Sequence, residues 1–496
     1  MADNLTLILF LPLAGGLILS LLPEEKANLI RFWANLVLGA NALWLLTLLP
    51  RFEAGGDLQF AQRVDWIPSI GADFFLAVDG YSLLLAAMSA SLGFLACLGS
   101  WNAIEKRRKE FYMSLLVLQT CVLGVFLAMD ALLFFVFFEA SLIPMYFLIA
   151  IWGGPERQRA AMKFLIYTAA GSMLLLLGLI LLYFEHGRQT GVFTFSIPAL
   201  WVTETSGPMA TWIFWLLFLG LAVKVPVAPL HTWLPDAHTE APTAGSVYLA
   251  SVLLKMGTYG ILRFVLPGAP GVLLEPRVLF WMSVLAIVSI IYGALICLRQ
   301  EDWKRLVAYS SVSHMGFCML GIFALNPAGI EGSMLQQINH GISTGLLFLL
   351  VGLMYERKKT QQIAAYGGIL PFMPRFAIVF LLASVSSMGL PPLNGFIGEF
   401  RILTGAFAMS RTWAIWAGLG ILLTVAYLLW AYQRVVLREQ PGQKPLPDLS
   451  LREWAVVAPL VLAAIGIGVY PQPVFSFLEQ PARQVVEKVR PSYFAR

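Results

Sequence analysis

Six titratable side chains stand where this 496-residue chain is otherwise apolar. Glu139 lies in FFVFFEASLIPMYF, Lys224 and Lys255 flank a stretch broken by Pro226 and Pro229, His314 and His340 sit in two later apolar runs, and Glu399 follows a second proline break. A charge at the middle of a bilayer costs about 2.5–3.5 kcal/mol on insertion scales, so each such residue needs a partner or a task. Burial in an apolar medium disfavours the charged forms of lysine and glutamate alike, which brings both towards exchanging a proton. Glu139 close to Lys224 would hold the lysine protonated, and separating the two would favour release. A row of Lys, His and Glu with water between its members can therefore pass a proton sideways.

The elements that must hold these residues are membrane helices. The chain is 59% hydrophobic and 12% charged, with a mean hydropathy of +0.77, which excludes a soluble protein of this length. Apolar stretches of about 20 residues recur along the whole chain. Fourteen are expected, over 5–22, 28–49, 80–101, 112–128, 131–151, 160–184, 211–238, 243–266, 278–298, 305–325, 332–355, 378–407, 413–433 and 454–470. The first has no basic segment before it and is expected to be a membrane helix, not a removable signal. The six titratable residues then come from six different helices at one depth. That is how a polar row across a bundle would look.

Loop charges set the orientation. Lys106, Arg107, Arg108 and Lys109, and likewise Arg357, Lys358 and Lys359, fall in one set of alternate loops, whereas the opposite internal loops hold only Arg51, Arg63, Arg188, Arg277 and Arg411. The positive-inside rule makes the first set cytoplasmic and puts both termini on the other side. PLHTWLPD at the first break matches PLNGFIGE at the second in its Pro-Leu, aromatic, aliphatic and acidic positions. A five-helix unit turns over when repeated, so inverted repeats with one broken helix each are expected. The partition is an N-terminal three-helix segment (1–104), repeat 1 (105–272), repeat 2 (273–440) and a C-terminal helix and tail (441–496).

Plainer roles compete at each position. Glu139 and Lys224 could be a structural ion pair that fixes helix register. His314 and His340, and more so His231 and His238 near the cytoplasmic end of the first broken span, could be hydrogen-bonded core histidines; the latter two are secondary candidates for the path. Lys163 and Arg263 are expected to snorkel from span ends, and Asp79 and Asp130 to cap helices. Asp236, the repeat partner of Glu399, has no assigned role. Cys97, Cys121, Cys297 and Cys318 are far apart in apolar runs, without metal or cluster spacing. No phosphate loop or nucleophile with a base is present, and the small net charge of +5 does not suggest nucleic acid.

The stretches FEASLIPMYFLIAIWGG, KFLIYTAAGS, VKVPVAPLHTWLPDAHTEAPTAGSV, LLKMGTYGILRF, RLVAYSSVSHMGF, INHGISTGLLFL and GLPPLNGFIGEF resemble the antiporter-like membrane subunits of proton-pumping NADH:quinone oxidoreductase, respiratory complex I. Within that family they look like subunit M, chain 4 in mitochondria. The resemblance runs over about 77–431. It implies an all-α polytopic fold of 14 helices with two half-channels joined by a hydrated axis. It also implies a switchable pair at Glu139 and Lys224, a relay at Lys255, bridging histidines at His314 and His340, and a terminal group at Glu399. Sister subunits usually carry lysine at that last position, so glutamate points to subunit M. The implied setting is a bacterial inner membrane beside other antiporter-like subunits. NADH, FMN, iron–sulfur clusters and quinone belong to partner chains, and none is expected in this one. The alternative is a subunit of a multisubunit sodium/proton antiporter, which uses the same helices.

Overall fold

The computed structural model describes residues 4–438 and 445–494. It is 78% helix and 4% strand. Twelve helices among the described residues are long and apolar enough to cross a membrane. With Leu5–Leu21, one residue short of that length, and the divided span Pro374–Ser387 and Asn394–Met409, they give the expected fourteen. Boundaries differ where polar ends extend the helices: Arg157–Thr190 and Pro327–Lys358 outrun the apolar stretches within them. Aspartates start several spans by accepting backbone N–H bonds at the first turn, Asp79 from Ser82 N, Asp130 from Leu132 N and Leu133 N, and Asp302 from Arg305 N.

The spans fall into an inner and an outer class. The most apolar stretch of Thr243–Gly268 is 100% buried within the protein, and those of Trp303–Phe323 and Pro327–Lys358 are 94% buried, against 33% for Arg411–Leu437. The three inner helices carry Lys255, His314 and His340. A side chain on such a helix meets protein on every side, so a polar group there must find its partner inside the bundle.

Both predicted breaks are present. Gly207–Lys224 stops at the lysine and the chain resumes as Trp233–Glu240; Pro374–Ser387 stops and resumes as Asn394–Met409. Each break includes a cis X-Pro bond, Ala228–Pro229 and Pro391–Pro392. Backbone groups freed at the first break are taken up by side chains: Ala228 N donates to Ser289 Oγ at 3.0 Å, and Trp233 Nε1 donates to Val223 O at 2.9 Å. At the second, Asn339 Nδ2 donates to Asn394 O at 2.8 Å. Irregular backbone survives at this depth because neighbouring helices satisfy it.

Two elements were not expected. Gln59–Ile67 and Ala72–Val78 form an antiparallel hairpin whose turn passes through Gly71 at φ +65. Beyond the last span, Gln472–Val489 is an amphipathic helix that lays Leu478, Ala482, Val485, Val486 and Val489 against Gly80–Gly99 and Pro327–Lys358.

Candidate functional site

Lys255 is fully buried. Its helix changes from α to π pairing over Leu249–Leu253, just before the lysine. A π turn shifts the ladder by one residue and leaves a carbonyl without its usual partner. Ala250 O takes the lysine instead, accepting from Lys255 Nζ at 2.6 Å. The same Nζ meets His340 Nδ1 at 2.7 Å, so the two side chains can hold one proton between them.

From His340 the row continues. Its ring centroid is 5.6 Å from that of His314, and His314 Nδ1 lies 3.1 Å from Glu399 Oε1. Gln336 Nε2 donates to that same oxygen at 3.1 Å. All four titratable residues are at most 3% exposed. A small polar cavity adjoins the two histidines, lined by Gln336, Asn339, Ser343 and Ser386 among others. Glu399 Oε2 has no hydrogen-bond partner among the described residues. It faces Gly389, where a Cβ would come within 2.3 Å and where φ is +67. Glycine is required there both for its backbone conformation and for space.

The other end of the row is built differently. Lys224 is 1% exposed, yet its Nζ has no hydrogen-bond partner among the described residues. It sits 4.7 Å above the centroid of Phe138, a cation–π arrangement one residue before Glu139. No hydrogen bond joins Glu139 to Lys224, and Glu139 Oε1 is buried without a partner among the described residues. Of the secondary candidates, His238 is fully buried and stacked on Phe348 at 4.6 Å, and His231 stands edge-on to Tyr292 at 5.1 Å. Among the described residues neither ring has a hydrogen-bond partner for its nitrogens. Buried polar atoms of this kind call for ordered water, which bonds to two to four groups at once.

Two expectations need correction. Arg263 does not snorkel: it is 7% exposed, ion-paired to Asp79 and lies 4.9 Å over the Tyr259 ring. Asp79 is thus both a helix cap and a buried counter-ion. Asp236 acquires a role, since Lys163 Nζ reaches its Oδ2 at 2.7 Å and Arg305 its Oδ1 at 3.4 Å. That same bond makes Lys163 an ion-pair partner that also donates to Thr232 O at 2.8 Å. Sequence reasoning missed Gln336, Asn339 and Asn394. The run Gln336, Gln337, Asn339, His340, Ser343, Thr344 could have flagged them, because so many polar residues in one apolar span must face one another.

Residues 128–424 match the family described as NADH:quinone oxidoreductase/Mrp antiporter, TM. The NADH-quinone oxidoreductase subunit M of Rhodobacter capsulatus is 42% identical, over 98% of this chain and 97% of that protein. This chain belongs to the subunit M family. NADH-ubiquinone oxidoreductase chain 4 of Marchantia polymorpha is 38% identical, over 95% of this chain and 94% of its own length. Among solved structures, a chain of respiratory complex I from Thermus thermophilus with bound NADH superposes with a TM-score of 0.89 at 32% identity, over 99% of this chain and 100% of that one. A chain of the Mrp complex from Dietzia sp. DQ12-45-1b shares the fold, with a TM-score of 0.87 at 20% identity, over 99% and 98% of the two chains. Subunit M proteins are membrane subunits of NADH-quinone oxidoreductase, and this chain is an antiporter-like member of that set that works with other membrane subunits.

Proposed function

We propose that this chain moves protons from cytoplasm to periplasm as one pumping unit of NADH:quinone oxidoreductase. The observation that carries the reading is the run of contacts from Ala250 O through Lys255, His340 and His314 to Glu399, buried throughout. Each neighbouring pair from Lys255 to Glu399 can exchange a proton directly or through one water, while Ala250 O only holds the lysine in place. Lys224 and Glu139 form the other end, where approach of the carboxylate holds the lysine protonated and retreat releases the proton. His231 and His238 stand on the cytoplasmic side of the row as secondary members.

Two inverted repeats, 105–272 and 273–440, frame the path, each with one broken helix. The segments 1–104 and 441–496 flank them. The chain lies in a bacterial inner membrane with both termini periplasmic, beside the flanking antiporter-like subunits. Quinone reduction by NADH, through FMN and iron–sulfur clusters held in partner subunits, supplies the energy, and this chain binds none of these.

The test is proton pumping by the assembled complex in membrane vesicles. Lys255→Ala should impair pumping while native gels show normal assembly; wild-type pumping would sink the relay. A scaffold alone predicts the reverse, a loss of assembly only. Exchange of sodium for protons uses the same helices, and its support is likeness of fold. Sodium-dependent transport by a complex lacking any redox partner would favour it.

A further inference from the structure

Arg263 is a buried charge that the row does not use. It stands eight residues after Lys255 on Thr243–Gly268, about 12 Å along the axis at 1.5 Å per residue. The helix leaves α pairing a second time here, over Ile261–Val265, and Arg263 O accepts from Trp201 Nε1 at 2.8 Å. Its Nη2 donates to Asp79 Oδ2, and Asp79 Oδ1 accepts from Ser82 N at 2.8 Å at the start of Gly80–Gly99. Both side chains of the pair are at most 8% exposed. Beyond them lies a cavity of about 510 Å³, lined by Arg263 and Asp79 together with Asp57, Trp201, Gln484 and Glu487. Gln484 and Glu487 belong to the amphipathic helix Gln472–Val489, and Asp57 leads into the hairpin, so the cavity is on the side of those two elements.

A line of side chains in contact joins this cavity to the row. Thr258, three residues after Lys255, donates to Gln337 Oε1, and Gln337 is three residues before His340. Tyr81 Oη donates to the same oxygen at 2.5 Å. The Tyr81 ring is 5.8 Å from that of Tyr259, and the Arg263 guanidinium lies 4.9 Å over Tyr259. Thr258, Gln337, Tyr81 and Tyr259 are at most 1% exposed. None of these four types takes up or releases a proton near neutral pH, tyrosine titrating near 10. Hydroxyl and amide groups can still orient a water and let a proton slip past, so the neutral layer is a weak barrier. The charge at its outer end is a strong one, as in pores where an arginine excludes protons.

We infer that Arg263 is the outer seal of the row, a fixed positive charge that keeps periplasmic protons from reaching Lys255 along this line; the inference rests on the proton-path reading above. Arginine keeps its charge even when buried. Asp79 does not cancel it, because the start of Gly80–Gly99 adds about half a positive charge beside that carboxylate. Arginine, carboxylate and helix end together remain positive. A proton drawn into the cavity by Asp57 and Glu487 therefore meets like charge before it meets the neutral layer. Asp79 is a positioning residue that holds the guanidinium in the line. No bond is made or broken, and the device acts as a standing field. With this side closed, a proton shared by Lys255 and His340 leaves towards His314 and Glu399.

The experiment uses the complete complex in inverted membrane vesicles and records NADH oxidation, the proton-to-electron ratio and, without NADH, the passive leak of protons from an acidified interior. Arg263→Gln is expected to lower the ratio and raise the leak about tenfold, the factor set by a unit charge about 12 Å away at an effective dielectric constant of about 20. Arg263→Lys and Asp79→Asn should stay tight, because each keeps the cation and asparagine still caps the helix. A wild-type leak in Arg263→Gln would overturn the seal. An equal rise in Asp79→Asn would overturn it too and leave only a structural pair. Adding Lys255→Ala to Arg263→Gln should remove the extra leak; a leak that persists bypasses the row and overturns the seal. The path fails separately, if Lys255→Ala alone pumps like wild type. If Arg263→Gln does not assemble, Arg263→Gln combined with Asp79→Asn decides, since it leaves no unpaired charge between the two. A raised leak then supports the seal, and a wild-type leak overturns it.

Discussion

Asp236 and Glu399 occupy the same position in two matching segments, PLHTWLPD and PLNGFIGE, yet their surroundings oppose each other. Asp236 is about a third exposed and held by Lys163 and Arg305. Glu399 is 2% exposed and held by His314 and Gln336, with its second oxygen unpartnered. The same contrast runs through the two ends of the row. Lys255 is bonded to His340, while Lys224 rests on Phe138 without a hydrogen bond. Similar broken helices thus carry one end that is wired by direct contact and one whose groups must move or borrow water to exchange a proton. The likeness between the halves lies in the backbone, and the chemistry lies in what the neighbouring helices bring to each break.

The largest effect should come from cutting the wired end. Lys255→Ala removes the residue that joins the π-turn carbonyl to His340, and proton pumping by the assembled complex should fall about a hundredfold, the scale of one lost acid–base group. Next comes Glu399. Glu399→Gln should slow pumping more than Glu399→Lys, because lysine still titrates; equal losses would mean that charge geometry, not proton exchange, matters there.

At the loose end, Glu139→Ala and Lys224→Ala should each reduce coupled turnover. Compared as free energies in a double-mutant cycle, they should show a coupling of about 0.5–3 kcal/mol. A coupling of zero would remove Glu139 as the lysine's partner. The smallest effect belongs to Asp236→Asn. Its ion pairs are partly exposed, so the loss should stay within about 1 kcal/mol of stability by thermal unfolding, with pumping near wild type. Loss of pumping in Asp236→Asn as deep as in Glu399→Gln would erase the contrast between the two breaks.

The glycine at the second break offers a finer probe. Gly389→Ala places a Cβ where Glu399 Oε2 stands, so it should impair pumping by displacing Glu399. A gain on combining it with Glu399→Asp, whose shorter side chain vacates that space, would separate displacement from general disruption.

Composition and periodicity alone determined the membrane class, the number of spans and both breaks. They also marked Glu139, Lys224, Lys255, His314, His340 and Glu399, because a titratable group in an apolar helix is conspicuous against its neighbours. What they could not decide was which of these touch. Lys255 and His340 are 85 residues apart, as are His314 and Glu399, and no spacing rule reaches across that distance. The hairpin Gln59–Ile67 and Ala72–Val78 and the helix Gln472–Val489 lie outside the apolar spans, where hydropathy carries no signal. Arg263 read as an anchor because it stands near a span end, and only packing against Asp79 and Tyr259 made it a buried ion. Burial in an apolar bundle is written residue by residue in the sequence. Pairing depends on how helices rotate and tilt against one another, and that is settled only when the whole bundle packs.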